Sequence, residues 1–252
     1  MAIRDEVKEQ QKKLEGKTWK DKLNYFWYYY KIHTIAVIFA LFLIGIFIKD
    51  SVTAKDYAFS AILLNAYGSD KQEAFQEDFA EYADIDTGTY NCYIDTTSTL
   101  SYDTMSQMDL AVMQRIIAMA ETGEIDVMIS NEENFNQYSS SMMFIDLREV
   151  LPAAEYKKYE SDFYYIDAAI FENDDEIIYD ENGIPQSTDT VSDHTDPSAM
   201  EDPMPVGIYL KDSAKLKEWA CYTGIEGSPV FGFNYSSERK DVAHLFLKYL
   251  TE

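Results

Sequence analysis

An α/β fold, with a mostly parallel sheet flanked by helices and one transmembrane helix ahead of it, is what this 252-residue chain predicts from three observations. The only long uncharged apolar run lies at 32–48 (IHTIAVIFALFLIGIFI). From Tyr57 onward, short apolar runs take turns with stretches of helical period, the rhythm of strand–helix–strand units. An aromatic content of 15%, with 20 Tyr and 14 Phe, is too high for a disordered acidic tail and furnishes a core for one domain of ordinary size.

As a helix the apolar run is about 25 Å long, slightly short of a hydrocarbon core of ~30 Å. Phe26, Trp27, Tyr28, Tyr29 and Tyr30 extend it, because amphipathic rings sit well at headgroup level. Eight basic residues precede it (Arg4, Lys8, Lys12, Lys13, Lys17, Lys20, Lys22 and Lys31), while only Lys49 and Lys55 follow closely. The positive-inside rule therefore puts the N-terminus in the cytoplasm and 55–252 outside the cell membrane. Within 1–31, Trp19, Leu23, Phe26 and Tyr30 recur at helical spacing among lysines, so this segment is expected to lie in the inner interface before turning into the membrane. Val52-Thr53-Ala54 carries the small residues a signal peptidase accepts, yet the preceding region is long and holds acids as well as lysines. An uncleaved anchor is the reading those features favour.

Beyond Ile48 the chain has 13 basic and 40 acidic residues, a formal charge of −27 that repels nucleic acid and anionic lipid. Cys92 and Cys221 both fall on the outer side, where a disulfide between them is neither required nor forbidden.

The outer elements follow in order. Phe59, Ala61 and Leu63 alternate in a first strand, and Ser69 with Gln72 reads as a capping box opening a helix whose apolar face holds Phe75, Phe79 and Tyr82. A second strand at 90–95 leads to a helix in which Met105, Met108, Val112, Ile116 and Met119 keep helical spacing as core filler, stopped by Gly123. A third strand covers 125–129, and Ser130-Asn131-Glu132 then caps a short helix carrying Phe135 and Tyr138. After a helical stretch at 153–161 comes a strand at 163–171 and an acidic hairpin turning at Asp180-Glu181-Asn182-Gly183. Residues 185–205, rich in Ser, Thr, Asp and Pro, read as a mobile acidic surface loop. A strand at 206–210, a helix started by Asp212 or Ser213, a strand at 230–233 and a final helix opened by Ser237 complete the chain.

Parallel sheets of this kind collect ligands at the carboxyl ends of their strands. Asn65, Tyr67, Thr97, Ser130, Asn131 and Glu132 fall there and are the expected recognition edge, each also able to serve as an ordinary cap or strand-end polar group. Catalytic chemistry has no local signature: no G-x-S-x-G elbow, H-E-x-x-H pair, Walker loop or G-x-G-x-x-G turn occurs. No cofactor motif is present either. Asp189, Asp193, His194 and Asp196 gather oxygen and nitrogen ligands, but a flexible loop loses ordering entropy in holding a cation, and the 172–181 acids lack EF-hand spacing. No metal site is therefore expected.

Two patches are similar to the extracellular solute-binding proteins of ABC transporters. One is Asp126-Val127-Met128-Ile129 with Glu132, Phe135 and Tyr138, then Phe144-Ile145-Asp146-Leu147 and Leu151-Pro152. The other is Val206-Gly207-Ile208 with Asp212-Ser213, Phe231-Gly232-Phe233-Asn234, Ser236, and the closing Ala243, Phe246, Leu247, Tyr249 and Leu250. Members of that family hold a solute between two lobes, whereas only about 40 residues separate Tyr165 from Val206 here. The resemblance thus implies a single lobe, a membrane-anchored binding or assembly module that is not an enzyme. A transporter or another envelope protein, or a second copy, would supply the missing wall, and a small solute is a further expected partner. A transmembrane sensor and a degenerate cell-wall-active hydrolase are the competing readings.

Overall fold

A computed structural model describes residues 16, 18–53, 55–101, 105–169, 191–224 and 227–252. The chain divides into two compact units, 1–54 and 55–252.

In the first unit, helix α1 (Trp19–Thr53) runs unbroken for 35 residues, about 52 Å at 1.5 Å per residue. Thr18 starts it: its hydroxyl donates to Asp21 Oδ2 at 2.6 Å, and Asp21 N donates back to Thr18 Oγ1 at 3.4 Å. The part Tyr30–Lys49 is long and apolar enough to cross a membrane. The expected turn between an interfacial segment and the span does not occur. No proline or glycine lies between Trp19 and Ile44, so nothing interrupts the hydrogen-bond ladder, and Tyr30 stacks on Phe26 at 5.5 Å along the same helix.

The second unit is a six-stranded sheet with helices on both faces. Its strands are β1 (Tyr57–Leu63), β2 (Asn91–Asp95), β3 (Val127–Ser130), β4 (Phe163–Asp167), β5 (Pro203–Tyr209) and β6 (Val230–Phe233), in the order β2-β1-β3-β6-β5-β4. Pairing is parallel between β2 and β1 and between β1 and β3, but antiparallel from β3 to β6, β6 to β5 and β5 to β4. The sheet is therefore mixed, and the mostly parallel arrangement holds only for its first three strands. Two strands run against the other four: β6, which comes from the C-terminal part of the chain and inserts between β3 and β5, and β4 at the far edge.

Alternation along β1 feeds two cores. Phe59, Ala61 and Leu63 join Phe75, Phe79, Phe231, Phe233 and Phe246. Ile62 and Leu64 join Met113, Ile116, Met128, Phe135, Phe144 and Tyr164. The helices that cover these faces are α2 (Gln72–Tyr82), α3 (Gln107–Glu121), α4 (Glu132–Ser139), α5 (Leu147–Val150), α6 (Ala153–Tyr159), α7 (Ala214–Glu218) and α8 (Lys240–Thr251). Gly207 and Gly232 leave room on the second face. A Cβ at Gly232 would stand 2.6 Å from the Phe144 ring, which stacks on Phe135 at 4.2 Å.

Several local expectations change. Gln72 does not complete a capping box. A 3₁₀ turn at Ser69–Lys71 precedes α2, and Gln72 Oε1 instead accepts from Thr96 N and Oγ1, while Gln76 Oε1 accepts from Ile94 N at 3.0 Å. The two glutamines, one turn apart, thereby cover the outer edge of β2. In α3 the buried stripe is Met113, Ile116 and Ala120, and Met108 is 74% exposed, so the methionines before Met113 are not all core. Gly123 ends the helix in the left-handed region (φ +70°) as its position suggests. Ser237 lies three residues ahead of α8, whose N-cap is Arg239.

Residues 191–202 of the expected mobile loop stay largely at the surface but are anchored by two buried side chains, His194 and Met200. His194 is buried, its ring stacks on Tyr164 at 4.3 Å, and its backbone oxygen and Nδ1 meet Tyr165 N and O, each at 2.8 Å. This segment covers the β4 edge as the glutamines cover β2. The carboxylate of Asp167 then accepts from Glu201 N and Asp202 N, so β5 begins at Pro203. Asp193 and Asp196 each cap their own turn, through Thr195 and Ser198. Asp189, the acidic hairpin and the acids at 172–181 lie outside the described residues. Cys92 and Cys221 are both free thiols.

A buried brace ties the two ends of the domain together. Asp126, just ahead of β3, accepts from Ser60 N at 2.8 Å, Ser237 Oγ at 2.5 Å and Arg239 Nε at 3.0 Å. Its neighbour in space, Asn234, donates to Ala120 O and Ile125 O.

Candidate functional site

The carboxyl ends of β1 and β3 open into a cleft of about 340 Å³. Its walls are set by backbone geometry. Asn65 leaves β1 in the left-handed region (φ +60°), a conformation Asn tolerates better than most residues, and its side chain grips Leu100 from both sides. Leu100 N donates to Asn65 Oδ1 and Asn65 Nδ2 donates to Leu100 O, each at 2.8 Å, while Asn65 N donates to Ser98 O. The polar segment after β2 is thereby held against the end of β1. Beneath them, the buried Tyr222 hydroxyl lies 2.9 Å from Leu64 O and 2.8 Å from Ile129 O, closing the ends of both strands. Burial pushes that phenol well above its usual range.

Three of the six expected residues meet here. Asn65, Tyr67 and Asn131 line the cleft, with Tyr67 66% exposed at the rim. The other three do not. The Thr97 hydroxyl donates to Asp95 Oδ1 at 2.7 Å, Ser130 is fully buried with its hydroxyl on Asn131 O, and Glu132 is exposed outside the cleft lining. Thr97 and Ser130 are thus strand-end polar groups satisfying local partners.

The cleft is completed by Thr99, Leu100, Ser101, Asp109, Glu133 and Asn134. None was singled out by strand-end position, although three had readable signals. Asp109 forms a capping box with Ser106, and Glu133 and Asn134 lie two and three residues after Asn131. The Ser106 hydroxyl and backbone N–H lower the Asp109 carboxyl below its ordinary value, keeping it ionised at neutral pH. Asn134 Nδ2 donates to Asn131 Oδ1, and Asn134 Oδ1 is buried without a partner among the described residues, an arrangement that costs about 1–3 kcal/mol. Asn131 makes no side-chain cap to α4, because its amide oxygen is engaged by Asn134.

Behind the cleft, Asp95 is buried and accepts from Ser98 Oγ at 2.6 Å, Thr97 N at 2.8 Å and Arg115 at 3.0 Å. Burial alone would raise its carboxyl, but these donors outweigh it and the net direction is downward. A second carboxylate cluster joins α6 to α8, where Glu155 pairs with His244 and with Lys248 at 3.0 Å. Among the described residues, no three His, Cys, Asp or Glu side chains gather as they would around a metal ion.

No protein-family model matches the chain, and neither does any curated protein or solved structure.

Proposed function

We propose that the chain is a single-pass membrane protein whose 55–252 domain is an extracytoplasmic, non-catalytic binding module, related to one lobe of an extracellular solute-binding protein. The observation that carries this reading is the cleft at the strand ends, where Asn65, Tyr67 and Asn131 converge on a polar hollow with one unsatisfied acceptor in its wall. Its volume falls in the range of small-molecule sites, about 300–1,000 Å³. A transporter or another envelope protein in the same membrane is the natural second wall for a lone lobe. Screening the full chain in nanodiscs against sugars, peptides and amines is expected to give a saturable rise in melting temperature that Tyr67→Ala diminishes, since a ligand that binds only the folded state raises its stability. No rise with any compound would count against the reading.

The orientation rests on the eight basic residues ahead of the span. A maleimide that does not cross membranes should label Tyr235→Cys, 63% exposed in the parent, on intact cells. Thr18→Cys should react only after permeabilisation. Background labelling stays low because burial pushes the Cys92 thiol up to about 12 and the Cys221 thiol up to about 11. The reverse pattern would invert the topology.

One observation favours a second reading, the sensor. Helix α1 passes from Trp19 to Thr53 without a break, so its start is mechanically continuous with the span. Crosslinking from 19–25 to a cytoplasmic protein would support that reading over solute binding alone.

A further inference from the structure

We infer that the cleft takes a small organic ammonium cation rather than an anion, a neutral sugar or a metal ion. The inference rests on the binding reading above and specifies its ligand. Four observations carry it. Among the described residues no lysine, arginine or histidine lines the cleft, whereas Asp109 and Glu133 do. Helix α3 and helix α4 both begin here, and each already carries acids in its first turn, so their positive ends are offset before any ligand arrives. Asn134, only 3% exposed, has an amide oxygen that accepts from nothing among the described residues, and an N–H donor entering between Asn131 and Asn134 gives it a partner. Tyr67 presents an exposed ring at the rim, a face that attracts a cation but has no such preference for an anion. An ammonium group supplies a charge opposite to that of the two carboxylates together with three N–H donors. A hard metal ion takes six or more oxygen ligands, usually with several carboxylates, and among the described residues no three His, Cys, Asp or Glu side chains gather in that way.

The test uses the full chain in nanodiscs at constant ionic strength, titrated with 1,4-diaminobutane, with 1,4-butanediol and succinate as neutral and anionic compounds of the same length, and with calcium chloride. The diamine is expected to bind saturably, and Glu133→Gln is expected to weaken it tenfold or more while leaving the unliganded melting temperature unchanged, because Glu133 is exposed. Equal binding of the diol or succinate, displacement of the diamine by calcium, no binding of the diamine, or undiminished affinity in Glu133→Gln would each overturn the inference. If a neutral sugar or peptide binds instead and Tyr67→Ala weakens it, the cation assignment falls while the binding reading stands. If no compound of any class binds, both fall.

Discussion

Replacing Phe246 with alanine is expected to destabilise the outer domain by about 3–5 kcal/mol, the largest single effect foreseen in this chain. Phe246 is fully buried on α8, and its ring centroid lies 4.7 Å from Phe79 and 4.8 Å from Phe59, with Phe75, Phe231 and Tyr249 within 6.4 Å. These rings come from β1, α2, β6 and α8. Truncation therefore opens a cavity at the point where the last helix joins elements from the first third of the domain and the last strand. Collapse cannot fill it without moving several backbones. Urea unfolding followed by far-ultraviolet circular dichroism should show a lower midpoint with an unchanged slope, and Phe246→Leu should recover most of the loss. A cost below about 1 kcal/mol would mean that α8 is not docked as described.

Asp126→Ala is expected to cost about 3 kcal/mol, at the low end for a broken buried ion pair, because Arg239 keeps 27% of its side chain exposed. The substitution strips the acceptor from Ser60 N, Ser237 and Arg239 together. For a domain of this size the melting temperature should fall by about 6–12 °C. Asp126→Asn keeps the shape and one acceptor, and should cost less. Equal losses in the two variants would show that the charge, not the acceptor geometry, holds the brace.

How far the sequence foretold this arrangement can be judged element by element. Strands β1, β3 and β6 announce themselves as compact apolar runs, and Ser213 caps α7 as its position suggests, its hydroxyl accepting from Leu216 N at 3.2 Å. What local pattern cannot say is where a strand inserts. Residues 230–233 look the same whether β6 lies at an edge or between β3 and β5, and only the latter gives it antiparallel partners on both sides. His194 was hidden for a related reason. Its neighbours are polar, and its burial depends on Tyr164 and Tyr165, thirty residues away in sequence. The Asp126 brace likewise joins residues separated by more than 100 positions.

The site was legible to the same extent. Asn65, Tyr67 and Asn131 were reachable because strand ends are readable and parallel strands put those ends on one side of the sheet. Thr97 and Ser130 sit at strand ends too, yet their hydroxyls turn to Asp95 and to Asn131 O, a choice that rotamer and loop path decide. Asp109 arrives from the start of α3, fourteen residues after β2 ends, and only the loop pinned by Asn65 brings it to the cleft.

The decisive measurement is calorimetric titration of the full chain in nanodiscs with the compound that raises its melting temperature most, compared with the Tyr67→Ala variant. Tyr67 is exposed, so its loss leaves the fold intact. Recognition at the strand-end cleft predicts saturable binding to the parent chain and affinity at least tenfold weaker in the variant, with the same unliganded melting temperature. Affinity unchanged by the substitution would contradict recognition at this cleft.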